Sequence, residues 1–263
     1  MVSHDAMASL SSLRVGLILA RLFMLAIGAA AIGWTIAVMP KFRASAPIAD
    51  VAAHIIAGET YKPDTLQALA AGLDNSRASA LRSFDLSKAA IIRLRQAENA
   101  IAIGDRQTID ARLVALGQAI DDALMNAPCD PFLWLVLFSL DNTRSGFSPA
   151  HLRYLQLSYA LGPNEGWIAI KRNRVALAVF SALPPDLAEA AISEFVGLVR
   201  SHFYSEAADI VAGPARPIRA LLFTRLRDIT EADRQAFAKL LHDRDLDDIP
   251  VPGIAPPPQR PWH

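Results

Sequence analysis

The chain has 263 residues, with 26 basic and 26 acidic side chains, a single cysteine and a mean hydropathy of +0.26. Such balance excludes the basic excess with which nucleic-acid binders neutralise phosphates, and one cysteine excludes an internal disulfide or a cysteine metal cage. Arginine outnumbers lysine 21 to 5 and alanine abounds, the bias of a GC-rich bacterial genome.

Residues 1–14 read as an N-terminal tail. Leu22 to Pro40 then run nineteen residues without a charge, with Arg14 and Arg21 before them and Lys41 and Arg43 after. At about 1.5 Å of rise per residue such a helix matches a hydrocarbon thickness of about 30 Å. Residues 15–40 are therefore expected to form a transmembrane helix in contact with the lipid bilayer. A cleaved signal peptide fits less well, because its apolar region runs about 7 to 15 residues. The only A-x-A-like site near the end of the run, Ala44-Ser45-Ala46, is also followed by Pro47, which blocks cleavage. A soluble core helix seldom goes five turns without a polar residue on its outer face.

Two basic residues on each side leave the positive-inside rule undecided. A short tail, a span and a long folded part follow the signal-anchor layout, which places the bulk outside the cytoplasm. The expected location is a bacterial inner membrane, single-pass, with the soluble domain in the periplasm. Within the span Ala29, Gly33 and Ala37 repeat at four-residue spacing, a small-residue stripe against which a second membrane helix packs closely.

Without residues 1–43, which hold Arg14, Arg21, Lys41, Arg43 and Asp5, the chain carries 22 basic and 25 acidic residues, a net of −3. Residues 44–246 are expected to form one α-helical domain. Alternating β-branched runs are missing, whereas apolar residues recur at three and four spacing, as in Ile91, Leu94, Ala97 and Ile101, and again in Leu113, Leu116, Ile120 and Leu124. Pro63-Asp64, Ser148-Pro149, Pro185-Asp186 and Thr230-Glu231 mark helix starts, and Gly58, Gly104 and Gly162 mark left-handed ends. These signals predict helices at 47–57, 64–73, 85–103, 108–126, 131–142, 149–161, 164–180, 186–201, 203–212, 217–228 and 231–244. Residues 247–263 carry Pro250, Pro252, Pro256, Pro257, Pro258 and Pro261. That density precludes a helix, so a polyproline-like tail is expected, lying on the surface or free in solvent; a plain extension and a Pro-rich ligand both remain open.

Trp134 and Trp167 stand 33 residues apart, each near the start of a predicted helix, close to the period of about 34 of a tetratricopeptide repeat. Counting from Pro131, Trp134 falls at the fourth position, Ala150 at the twentieth and Tyr154 at the twenty-fourth; counting from Ala97, Gly104, Ala123 and Pro128 also fall where that family prefers them. The chain thus resembles a tetratricopeptide-like helical repeat protein over residues 97–200, with an irregular helical bundle as the alternative. Leu157 and Pro163 depart from the pattern. The stretch 157–167 is also faintly similar to membrane-anchored repeat proteins of bacterial envelope polysaccharide systems.

The resemblance implies a concave surface for a partner protein. Its groove-facing ninth position corresponds to Ser139 and Arg172, and Lys171, Arg172 and Arg174 would form a positive patch there; a solvated helix face is the plainer reading. Trp134 and Trp167 read as inter-helix core. Cys129 ahead of a helix start has no histidine at a suggestive spacing, His54, His151, His202 and His242 look isolated, and Glu189 and Glu194 read as helix-surface acids. No phosphate loop, dinucleotide turn, H-E-x-x-H or G-x-S-x-G occurs, so neither catalytic residues nor a cofactor nor a metal is expected. The expected function is a non-enzymatic adaptor or scaffold in a membrane-bound envelope assembly, with polysaccharide synthesis or export as the pathway that the second similarity implies. The alternative is an accessory subunit that contacts an integral complex mainly through its transmembrane helix.

Overall fold

The structure, a computed structural model, describes residues 3–59, 61–76, 83–246, 248 and 250–255, and within its helices the side chains of 3–20, 38, 40–47, 73–76 and 83–85 lie outside the description. Among the described residues the chain is all-α, without a strand. It forms two compact units, residues 1–54 and 55–263.

The first unit is nearly all of helix α1 (Ser3–Ile56). Two separate helices at 15–40 and 47–57 were expected, but the helix runs unbroken through Pro40 and Pro47. Each proline removes one backbone donor, and neither ends the helix. Its described side chains from Arg21 to Ala37 are all exposed, among them Phe23 and Trp34, at 65% and 73%. Among the described residues no helix is long and apolar enough to cross a membrane. Ala29, Gly33 and Ala37 are exposed, and a Cβ on Gly33 would meet nothing within 4 Å.

The second unit contains α2 (Pro63–Ser76), α3 (Ser83–Ile103), α4 (Arg106–Asn126), α5 (Pro131–Ser145), α6 (Leu152–Leu161), α7 (Gly166–Ala178), α8 (Pro185–Arg200), α9 (Tyr204–Ala212), α10 (Arg219–Arg225) and α11 (Glu231–Asp243). Their boundaries stay close to the expected ones because the caps are side-chain chemistry written in the sequence. Asp130 accepts from the amides of Phe132 and Leu133 at 3.0 and 3.4 Å, ahead of Pro131 at the first helical position. Asp105 caps α4 through Thr108, and Thr230 caps α11 through the Asp233 amide. Each such cap stabilises its helix by about 1 kcal/mol.

Gly58 and Gly104 close their helices with positive φ, as expected, but Gly162 does not, at φ −140°. Glycine is required there by space: a Cβ would lie 2.6 Å from Cγ of Pro131. The expected stripe in α4 is kept, with Leu113, Leu116 and Ile120 buried and Leu124 half-buried. In α3 Ile91 and Ala97 of the expected stripe are buried and Leu94 is half-buried, whereas Ile101 is exposed; Ile92, Gln96 and Ala100 are buried as well, and the Gln96 amide donates to the Leu66 carbonyl on α2 at 3.1 Å.

Successive helices pack as hairpins, α3 on α4, α5 on α6 and α7 on α8, and α8 then receives α9, α10 and α11. In the α5–α6 hairpin Trp134 and Tyr154 stack with ring centroids 6.0 Å apart, and the indole N–H donates to the Pro128 carbonyl. Trp167 leans on Phe132 at 4.9 Å. Neither tryptophan is fully buried: Trp134 is half-buried and Trp167 is 37% exposed. The core beyond α8 is instead centred on Phe237, which meets Phe195, Phe223 and Tyr204.

The described part of the C-terminal segment is fixed to the domain rather than free. Val251 is buried, and the carbonyl of Pro252 accepts from Nη1 of Arg234 at 3.0 Å. Pro256, Pro257, Pro258 and Pro261 lie outside the described residues.

Candidate functional site

A cleft with a volume of ≈ 580 Å³ lies between α7 and α8. Ala190, Ser193 and Gly197 recur along α8 at three- and four-residue spacing, so one face of the helix is kept small where it borders the opening. A Cβ on Gly197 would meet nothing within 4 Å. Asn164, Gly166 and Ala169 line the α7 side, and Phe203 closes one end, where a Cβ on Gly166 would lie 3.5 Å from its ring. Ser193, Arg200 and Ser201 are exposed and border the cleft with hydroxyls and a guanidinium.

Tyr159 and Glu194 form its inner wall over a buried polar network. Arg172 is 0% exposed, and each of its three guanidinium nitrogens donates: Nε and Nη2 to Oε1 of Glu194 at 3.0 and 2.6 Å, Nη1 to the Ser158 carbonyl at 2.6 Å, and Nη2 to the Gly162 carbonyl at 3.0 Å. The two carbonyls belong to the last turn and cap of α6, and that of Ser158 also accepts from the Gly162 amide at 3.2 Å. One side chain of α7 therefore ties the end of α6 to α8. Oε2 of Glu194 accepts from the Tyr159 hydroxyl at 2.8 Å and from Asn173 at 3.4 Å. The guanidinium also lies over the Tyr159 ring, 4.2 Å from its centroid.

Burial raises Glu194 above the usual carboxylate range, opposed by the charge and hydrogen bonds of Arg172. Burial likewise raises Tyr159, reinforced by the neighbouring Glu194 carboxylate. Because donors occupy both oxygens of Glu194, the carboxylate anchors the wall of the cleft, and the groups left to meet a ligand are those of the rim.

The sequence-derived patch at Lys171, Arg172 and Arg174 is corrected by this geometry. Lys171 and Arg174 are exposed, but Arg172 points inward. Ile168, Arg172 and Ala176 stand four apart and all are buried, a spacing that placed Arg172 on the apolar face of α7 from the start. Glu194, read as a surface acid, has a side chain only 6% exposed; its four-residue spacing from Ala190 and Leu198 was the corresponding signal. Ser139 is half-buried, its hydroxyl donating to the Leu135 carbonyl. Ala29, Gly33 and Ala37 belong to the other unit.

A second cluster was invisible in the sequence because its members are distant. His202 Nε2 lies 3.3 Å from Oδ1 of Asp233, which also accepts from the Tyr204 hydroxyl at 3.0 Å. The Thr230 hydroxyl, 2.7 Å from Oδ2, does most to hold Asp233 below the usual carboxylate range, with Tyr204 and His202 contributing. His202 ends α8 at φ 67°, a left-handed position that glycine ordinarily fills. Cys129 is exposed. Among the described residues no three of His, Cys, Asp or Glu gather as metal ligands would. No family model, curated protein or solved structure matches the chain.

Proposed function

We propose that the chain is a membrane-tethered, non-enzymatic adaptor of a bacterial envelope assembly, in which helical hairpins of tetratricopeptide-like kind present a partner-binding cleft. The observation that carries this reading is the contrast along α1: Leu22, Phe23, Leu25, Trp34 and Ile36 are all more than half exposed on a helix joined to a domain that buries its own apolar residues. Large apolar side chains in such a row need an apolar cover, and the uncharged run from Leu22 to Pro40 has the length for a bilayer to supply it. The binding role is supported by the cleft between α7 and α8, whose size falls within the usual range for ligand sites, and by the stacking of Trp134 on Tyr154, the fourth and twenty-fourth positions of the repeat register. The soluble domain is assigned to the periplasm and the pathway to polysaccharide synthesis or export.

A second reading rests on the open Ala29, Gly33 and Ala37 stripe, which would make α1 itself the main contact of an accessory subunit. A photo-crosslinker at Ser193, in membranes of the source cell, tests the adaptor: a specific protein adduct is expected, and a correctly folded chain that yields none counts against it. Replacing residues 15–40 with an unrelated span separates the two readings. The adduct survives if the cleft is the contact and is lost if α1 is. A reporter fused after Arg244 fixes the side of the membrane.

A further inference from the structure

The described part of the C-terminal segment meets the α10–α11 region through three kinds of contact. Arg219, only 5% exposed, donates from Nη2 to Oδ2 of Asp248 at 2.6 Å; Arg234 donates to the Pro252 carbonyl; Val251 is 4% exposed. Asp247 and Ile249 lie outside the described residues, and the contacts that hold this strap come from Asp248, Val251 and Pro252. Asp248 and Val251 are three residues apart in the sequence, and Val251 opens a turn in which the Ile254 amide donates to the Val251 carbonyl at 3.2 Å. Gly253, at φ 76°, lets the backbone turn where a Cβ would stand 3.1 Å from Nη1 of Arg234. A carboxylate, an apolar side chain and a backbone carbonyl each meet a matching group, the combination by which a short peptide segment is recognised.

The match is incomplete. Nε of Arg219 and Nε of Arg234 are buried and have no acceptor, although a guanidinium presents five donors in a fork suited to carboxylates. Asp248 supplies one oxygen and stays 61% exposed. A buried donor without an acceptor weakens a contact, so the strap holds less firmly than its site allows.

We propose that the α10–α11 face is a docking site for an acidic, proline-containing protein segment that turns as the strap does, and that this chain's own residues 248 and 250–254 fill it as a displaceable stand-in. A partner segment with a carboxylate three residues before an apolar side chain between prolines, and with one further acceptor, takes the place of the strap. The site is separate from the cleft between α7 and α8 and does not depend on the adaptor reading.

The test uses the full-length chain in mild detergent and a fluorescein-labelled peptide of residues 248–254, followed by anisotropy. An Asp248→Asn, Val251→Asp variant, whose strap no longer fits, is expected to bind the peptide at least tenfold more tightly than the unaltered chain. Adding Arg219→Met is expected to abolish that gain, and a scrambled peptide is expected not to bind. A variant with unchanged helicity and cooperative melting that binds no better than the unaltered chain overturns the proposal. To keep the test independent of that variant's folding, a protease site inserted after Leu246 is cut once the chain has folded. The freed segment is expected to leave on dilution and added peptide to rebind; a segment that never leaves, or a peptide that never rebinds, overturns it. Dimerisation of either preparation with loss of peptide binding assigns the face to a second copy and likewise overturns it.

Discussion

Arg172 and Arg219 are both buried arginines that tie one segment to another, yet they differ in how fully they are used. Arg172 engages every nitrogen, with a carboxylate that is itself 6% exposed and two helix-end carbonyls. Arg219 engages one nitrogen with a carboxylate that is 61% exposed and leaves Nε without an acceptor. The first is a permanent part of the fold, since both partners are almost wholly withdrawn from solvent. The second is a latch, because its acid can return to solvent at little cost. What separates a structural ion pair from a releasable one is therefore the burial of the weaker partner and the number of donors left over.

Substituting Arg172 breaks the comparison most severely. Arg172→Met leaves Glu194 buried without its counter-charge and removes the guanidinium donors from the Ser158 and Gly162 carbonyls, and is expected to cost about 3–5 kcal/mol at neutral pH in urea unfolding. The cost falls in acid. Glu194 is raised above its ordinary value, so its contribution to stability is fully present below the ordinary carboxylate range and is lost as pH rises through its folded value. Protonating the orphaned acid removes the uncompensated charge, and the penalty is expected to shrink as the same titration is repeated toward about pH 4. A penalty that grew in acid would refute the role given to Glu194. Asp233, held low, behaves oppositely: its contribution is present above the ordinary range and is lost as pH falls through its folded value.

Smaller changes sharpen the contrast. At the end of α8, His202→Gly relieves a left-handed backbone and is expected to stabilise the chain by about 1 kcal/mol, less whatever the Asp233 contact contributes. On the same helix Gly197→Ala places a methyl in open space and is expected to gain about 0.5–1 kcal/mol in thermal melting, with partner binding in the cleft as the measure of any functional cost. Asp248→Asn is expected to cost about 1 kcal/mol or less, and that cost is expected to vanish in high salt, because the lost partner is exposed. Were Asp248→Asn as damaging as Arg172→Met, the distinction between clamp and latch would fail.

The helices were legible because their signals are local. Asp105, Asp130 and Thr230 cap the helices they precede, and the stripe of Leu113, Leu116 and Ile120 faces the core. The candidate site was less so. Arg172 was noticed as a charge and assigned to the surface, although its four-residue spacing from Ile168 and Ala176 placed it inside. Its partner lies 22 residues away on the next helix, and nothing local in the sequence joins them. The continuity of α1 through Pro40 and Pro47 was missed for another reason: proline disfavours a helix interior by about 3 kcal/mol and does not forbid it.

By itself the sequence determined what depends on neighbours within a turn or two: the all-α class, the caps, the uncharged run from Leu22 to Pro40 and the near-neutral charge. Only the tertiary structure decided which polar groups meet. It buried Arg172 against Glu194, joined His202 to Asp233 across 31 residues of chain, and set Asp248 on Arg219. Caps and periodicity are properties of one helix, whereas a hydrogen bond between helices depends on how whole faces pack, and no single segment of sequence carries that information.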